Sequence, residues 1–286
     1  MSIENLVLAR DQRGVSALRP YLAPDFCERA AALVVEHPGT VLIATGFYVP
    51  SAGATETDGP PGAAALGQAL EALGYRVLYV TDERSSTVVR GLVPAGSGVV
   101  EFPLAGHEES RRFAAGLIAS HAPALVVAVE RCGLTDEGLH RNMHGADVSA
   151  HHAKLDYLFV EGLPSVGVGD GGNEIGMGNL LPVIPLVMPT TEKPCVTKTT
   201  RLVISSVSNW GAWGIVAAMS RLTGRVLLPT PAQARATLER AVRLGAVDGV
   251  SGRATLSVDG FPAEENERLL AEMHAWLARH GVGAAA

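Results

Sequence analysis

The richest chemistry in this sequence sits in one run, Gly169-Asp170-Gly171-Gly172-Asn173-Glu174-Ile175-Gly176-Met177-Gly178-Asn179. Five glycines in eleven residues forfeit backbone entropy, so the run calls for positive φ angles or close approach by a ligand or by other chain. Asp170 and Glu174 supply two carboxylates, and Asn173 and Asn179 two amides. That set can ligate a hard cation, act as a general acid and base, or hydrogen-bond the ammonium group of an amino acid. The alternative is a structural turn in which Asp and Asn cap local backbone. The spacing departs from G-x-G-x-x-G, because Gly169-Asp170-Gly171 continues as Gly172-Asn173-Glu174, and no nucleotide cofactor is expected. With carboxylates present and no Cys/His cluster, an ion bound through Asp170 or Glu174 would be oxygen-seeking, Mg²⁺ or Mn²⁺.

Shorter polar groups lie elsewhere. Thr57-Asp58-Gly59-Pro60 reads as a helix start with Asp or Thr as cap and proline in the first turn. It is either a plain cap or a set of backbone N–H groups able to hold an anion, although the charge of Asp58 opposes an anion resting on it. Glu130-Arg131 is either an ordinary ion pair or a guanidinium placed to clamp a substrate carboxylate. Asn142-Met143-His144-Gly145 and Asp147 form a polar insertion, with His151 and His152 after it. Adjacent histidines diverge on a helix, so that pair is expected to be solvated, and His144 is the better metal-ligand candidate. Cys132 is read as a buried small residue rather than a nucleophile.

These groups need elements to hold them. Strand-like runs at Thr40–Thr45, Arg76–Thr81, Gly98–Phe102, Ala124–Val129, Tyr157–Val160, Ser165–Val168 and Arg201–Ser206 alternate with helical patterns at Pro24–Glu36, Gly62–Leu73, Glu108–Ser120, Ser149–Leu155 and Ser208–Leu222. Two further helices, Pro231–Leu244 and Ala263–Arg279, close the chain. Alternation predicts parallel strands joined by crossover helices, and apolar runs such as Leu125–Val129 predict a sheet covered on both sides. The expected fold is α/β, a doubly wound, Rossmann-like, mostly parallel sheet with helices on both faces, as one domain over residues 1–286. The Gly/Pro/Thr-rich stretch 49–62 then reads as a long βα loop beside a binding site rather than a linker. Ligands of such sheets bind beyond the carboxyl ends of the strands. Asp58, Glu130, Arg131, Asp170, Asn173, Glu174 and Asn209 each follow a predicted strand, so they are expected to line one pocket. Glycines at 59, 171, 172 and 211 would let backbone approach the ligand.

Composition narrows the class. Apolar residues at 47% and charged residues at 18% indicate a globular protein. A net charge of −6 with no Lys/Arg run gives no pull toward nucleic acid or an anionic membrane. The apolar strings are too short to span a bilayer, and the N-terminus has no signal pattern. Three scattered cysteines, Cys27, Cys132 and Cys195, fit a reducing compartment, and a cytoplasmic location is expected. A homodimer is the default oligomer.

Thr45-Gly46-Phe47, Glu56-Thr57-Asp58-Gly59-Pro60, Glu130-Arg131, Asn142-Met143-x-Gly145 and the Gly169–Gly178 loop, taken in order, resemble the D-glutamate cyclase family. Ser208-Asn209-Trp210-Gly211, Val247-Asp248-Gly249 and Val258-Asp259-Gly260 extend the likeness, which runs from about residue 14 to 280. The long loop is its most specific part. The resemblance implies a Rossmann-like fold, an amino-acid substrate and a hydro-lyase that converts D-glutamate to 5-oxo-D-proline with loss of water. Lactam closure needs a base for the ammonium proton and an acid for the departing oxygen, tasks that Asp170 and Glu174 can divide. Arg131 would hold the α-carboxylate. Asn173, Asn209 or helix N–H groups would stabilise the oxyanion, with Asp58, Glu130, Gly171 and Gly172 completing the substrate site. Hydrolysis of a related lactam or lactone, and non-catalytic sensing of an amino acid or nucleotide, remain open on the same fold.

Overall fold

The computed structural model describes residues 1–188, 191 and 193–283. Its first part holds α1 (Ile3–Val7), α2 (Phe26–Glu36), β1 (Thr40–Thr45), a short pair β2 (Tyr48–Val49) and β3 (Ala54–Thr55), α3 (Pro60–Ala72) and β4 (Arg76–Thr81). There follow α4 (Glu83–Leu92), β5 (Gly98–Glu101), α5 (His107–His121), β6 (Leu125–Val129), β7 (Ser165–Gly169), α6 (Ile184–Val187) and β8 (Arg201–Ile204). The chain finishes with α7 (Ser208–Thr223), α8 (Pro231–Arg243), β9 (Ser257–Val258), β10 (Phe261–Pro262) and α9 (Ala263–Arg279).

Six strands form one sheet in the order β5-β4-β1-β6-β7-β8, and every neighbouring pair is parallel. The chain enters at β1, winds outward through β4 and β5, then crosses back to β6 and winds out the other way. This is the doubly wound order, and the reversal opens a crevice between β1 and β6 at their carboxyl ends. Thr45 pairs with Val129, so Gly46 and Glu130 leave the sheet side by side.

Strand side chains alternate between two apolar layers, as the two-residue period requires. Val41, Ile43, Val77, Tyr79, Val127 and Val129 pack with residues of α2, α3, α7 and α9. Leu42, Ala44, Leu78, Val80, Val126 and Ala128 pack with Ala114 and Leu117 of α5. Both faces are thus buried, which explains why the strands are apolar throughout.

Two expected elements are absent. Tyr157–Val160 is not a strand, because Leu155–Leu158 forms a 3₁₀ turn whose Leu155 and Leu158 are buried against the α5 face of the sheet. Ser149–Leu155 is not a helix, since only Ser149–His151 makes a 3₁₀ turn. An apolar run of four residues can cover a sheet as well as extend it, and here it takes the place of a crossover helix between β6 and β7. Conversely, α4 was not expected. Its Ser85-Ser86-Thr87-Val88-Val89 run is poor in helix formers, but Asp82 caps it by accepting from the Ser85 N–H at 3.3 Å. Among the described residues no helix is long and apolar enough to cross a membrane.

Candidate functional site

A cavity of about 390 Å³ lies at the crevice predicted by the strand order, and Glu56, Glu130, Asp170, Asn173, Glu174 and Asp259 line it together with Arg13 and Ser206. Phe47, Val49, Pro50, Met143 and Val250 form an apolar rim, with His144 beside them. A wider groove of about 990 Å³ runs past the amino ends of β7 and β8 at Ser165 and Thr200. The acidic triads described below lie in or beside the smaller cavity and none at the groove, among the described residues. The topology and the chemistry therefore select the smaller cavity.

The glycine-rich loop is built around its own carboxylate. Glu174 accepts from the Gly171 N–H at 2.7 Å through Oε1 and from the Gly172 N–H at 2.8 Å through Oε2. Gly172 reaches φ +92°, and a Cβ on Gly169 would stand 2.9 Å from the Glu174 Cβ, so side chains there would evict the carboxylate. These N–H groups are consequently occupied by Glu174; of the two glycines expected at the site, Gly171 lines the cavity and Gly172 does not. Neighbouring chain holds the loop from both sides: Gly133 N–H donates to Asn173 O at 2.9 Å, Ile175 N–H to Arg131 O at 2.8 Å, and Cys195 N–H to Gly172 O at 3.0 Å.

Glu130 ends β6 at φ +44°, an uncommon conformation for a non-glycine residue and a strain characteristic of functional positions. Its Oε2 accepts from Ser208 Oγ at 2.5 Å. Asp170, which follows β7, pairs with Arg13 Nη1 through Oδ1, while its buried Oδ2 has no hydrogen-bond partner among the described residues. Asp259 also meets Arg13, at 2.9 Å from Nη2 and 3.1 Å from Nη1. It is presented by a two-residue turn between β9 and β10, where Asp259 (φ 53°) and Gly260 (φ 80°) both lie in the left-handed region, the geometry that favours Asp-Gly. Asp248 locks this turn, accepting from the Gly260 N–H at 2.7 Å and from the Ser251 N–H at 2.8 Å.

Three expected ligand contacts are spent on structure. Arg131 is fully buried and donates to Asp82 Oδ2 at 2.6 Å, Gly46 O at 2.7 Å and Ala153 O at 2.7 Å. Arg131 is not among the residues lining the cavity, and its guanidinium pairs with Asp82, just past the end of β4, rather than with Glu130. Asp58 does not cap its own helix. It accepts from the Ser208 N–H at 2.8 Å and the Asn209 N–H at 2.7 Å, and so caps α7. Asn209 returns the bond, since its Oδ1 accepts from the Gly59 N–H at 3.0 Å and the Gly62 N–H at 2.6 Å at the start of α3. Its Nδ2 donates to Thr57 O at 3.0 Å, so both polar atoms of the side chain hold the two helix starts together, and Asn209 is not among the residues lining the cavity. Gly211, also expected beside the ligand, is not among the residues lining the cavity and instead packs closely against Val168 and Ser205.

Arg13, Glu56, Asp259 and Ser206 complete the cavity and were not assigned to the site from sequence. Glu56 and Asp259 were visible inside quoted motifs. Arg13 gave no signal, because it follows α1 rather than a strand. Asp11 fixes its loop by accepting from the N–H groups of Arg13, Gly14 and Val15 at 3.0, 2.7 and 3.1 Å. His152 is buried rather than solvated: Nε2 accepts from the Tyr48 N–H at 3.0 Å and Nδ1 faces Val148 O at 3.1 Å.

Crowded buried carboxyls cannot all ionise. Burial, reinforced by Asp170 and Glu174, pushes the Glu130 carboxyl well above the usual range. Burial raises Asp170 strongly too, and although Arg13 pulls it down, Asp259, Asp58 and Glu174 keep it well above. Glu174 is raised by burial against the pull of its backbone donors. Asp58 is raised to about 8 by burial and Asp259. Burial thus favours the protonated form of each of these carboxyls, and ionising one opposes ionising the next, a coupling that paired acid and base work can draw on.

The family profile described as "D-glutamate cyclase-like, C-terminal" matches residues 3–274. The Homo sapiens protein named "D-glutamate cyclase, mitochondrial" is 29% identical over 274 residues, an alignment covering 81% of this chain and 44% of the human protein. The chain spans less than half the length of that relative. With nearly every residue inside the family match, and with the acidic loops converging at the switch point, this chain belongs to the D-glutamate cyclase-like, C-terminal family.

Proposed function

We propose that this protein is a lyase that closes D-glutamate to 5-oxo-D-proline with release of water. The observation that carries the reading is the convergence of buried Glu130, Asp170 and Glu174 on a cavity that also presents Arg13. In the reaction the α-nitrogen bonds to the carbon of the γ-carboxylate (Cδ), closing a five-membered ring, and one oxygen leaves that same carbon. The two protons lost by the ammonium group are the two gained by the departing oxygen, so the chemistry needs a proton relay with no net uptake. Asp170 and Glu174 fit that relay, because they are close, buried and raised by their surroundings. Arg13 takes the carboxylate-anchoring role first expected of Arg131, as the one guanidinium among the described residues lining the cavity. Asn173 and Ser206, which also line the cavity, would donate to the tetrahedral oxyanion.

The test is incubation of the protein with D-glutamate and, separately, L-glutamate, with 5-oxoproline followed by mass spectrometry. Lactam formation from the D-isomer, abolished in Asp170→Asn and Glu174→Gln proteins that melt normally, is the expected result. Binding of D-glutamate without turnover would turn the reading to a sensor, and ring opening of a supplied lactam with no closure would turn it to a hydrolase.

A further inference from the structure

Two acidic triads exist among the described residues, Asp58-Asp170-Asp259 and Glu130-Asp170-Glu174, each with one oxygen per residue within 4.8 Å of the others. Their surroundings differ. The first is already neutralised: Arg13 contacts both Asp170 and Asp259, and Asp58 is saturated by the amides that start α7. The second has no cationic side chain of its own beyond the Arg13 shared through Asp170 Oδ1. Glu174 is held by two amides and Glu130 by one hydroxyl, which orients their oxygens but does not balance their charge.

Two further atoms show what is lacking. Asp170 Oδ2 and the Ser206 hydroxyl are both buried with no hydrogen-bond partner among the described residues, and both residues line the cavity. Buried polar atoms are normally satisfied, and leaving one unpaired costs roughly 1–3 kcal/mol, more when it is charged. An oxygen-seeking ion would satisfy the free carboxylate and hydroxyl oxygens together. Oxygens across an octahedral or larger shell, at about 2.0–2.6 Å from the ion, stand apart by no more than twice that distance, which matches the triad's spread.

We propose that Glu130, Asp170 and Glu174, completed by Ser206, bind one divalent oxygen-seeking cation, with the remaining coordination positions open to the cavity. This extends to Glu130 and Ser206 the expectation first attached to Asp170 and Glu174. It also gives an anionic ligand a reason to enter an acidic cavity, since the ion and Arg13 would offer it two positive groups. The binding does not depend on which substrate the protein uses.

The experiment is titration of the chelator-stripped full chain with MnCl₂, with free Mn²⁺ read by electron paramagnetic resonance and no substrate present. One saturable ion per chain, displaced by Mg²⁺, is expected. Asp170→Asn should weaken binding roughly 100-fold and Ser206→Ala roughly 10-fold, the scale of metal-site substitutions. Folded protein that binds no Mn²⁺ at millimolar concentration would overturn the site. So would stoichiometric binding that neither variant alters, which would put the ion elsewhere; if Asp170→Asn does not fold, Ser206→Ala alone decides. Because substrate is absent, a failed glutamate assay leaves this result standing, and a failed titration leaves the glutamate assay standing.

Discussion

The Arg131 side chain has no exposed surface, and its one carboxylate partner among the described residues is Asp82. Burial alone would raise Asp82, but Arg131, His152 and the Ala153 N–H together hold it below its ordinary value. Removing one partner of such a pair strands the other charge, so Arg131→Met should cost about 3–5 kcal/mol of stability, measured by urea denaturation. Arg13→Met also strands buried partners, Asp170 and Asp259, and should be destabilising too, but it should in addition raise KM for D-glutamate roughly tenfold or more, worth about 1.4 kcal/mol, which Arg131→Met should not. A KM left unchanged by Arg13→Met, or raised as much by Arg131→Met, would contradict this division. His152 reports on the same interior. Burial, then Arg131, lowers it from about 6.5 to about 3, so the unfolded chain binds its proton first. Its contribution is complete above about pH 6.5 and is lost as pH falls toward 3, at about 1.4 kcal/mol per pH unit. His152→Gln should flatten the fall of stability across that window, as followed by thermal melts at a series of pH values. Sequence named Arg131 and passed over Arg13, because a strand-end position fixes where a backbone leaves the sheet and not which way a long side chain turns.

At the level of elements, α3 and α7 cap each other through Asp58 and Asn209. Each side chain satisfies amides that its partner's helix leaves open at its start, and α7 has no side-chain cap of its own. Truncating either residue should cost about 1–2 kcal/mol. The double substitution Asp58→Ala with Asn209→Ala should cost less than the sum, because the two residues share one bonded unit. A double-mutant cycle by chemical denaturation reads that coupling, and strict additivity would mean that the caps act independently. The helices themselves were legible: the apolar spacing of Ala263–Arg279 and Ser208–Leu222 placed α9 and α7 almost to the residue. The Tyr157–Val160 run misled because burial against a sheet and membership of a sheet leave the same apolar trace in so short a segment. The caps were misassigned for a related reason. An Asp before a proline marks a helix start, but nothing local states that the Asp serves a different helix.

Across the whole molecule, strand order does most of the work of assembly. Starting at β1 and reversing direction at β6 gathers residues from distant parts of the chain onto one edge, and the βα loops that deliver Glu130, Asp170 and Glu174 were readable from the alternation of strand and helix. Arg13 and Asp259 come from outside that alternation, one before β1 and one after β8, so no rule about strand ends could include them. The reciprocal cap adds an ordering in time. A ribosome releases Asp58 with Asn209 still 151 positions behind it. Until that asparagine emerges, the Gly59 and Gly62 amides lack their acceptor and Asp58 lacks its donors. Glu130 likewise waits for Ser208, and Asp259 follows later still. The acidic cavity is therefore completed only by the last-made part of the protein, and a nascent chain carries a growing sheet well before it carries the finished site.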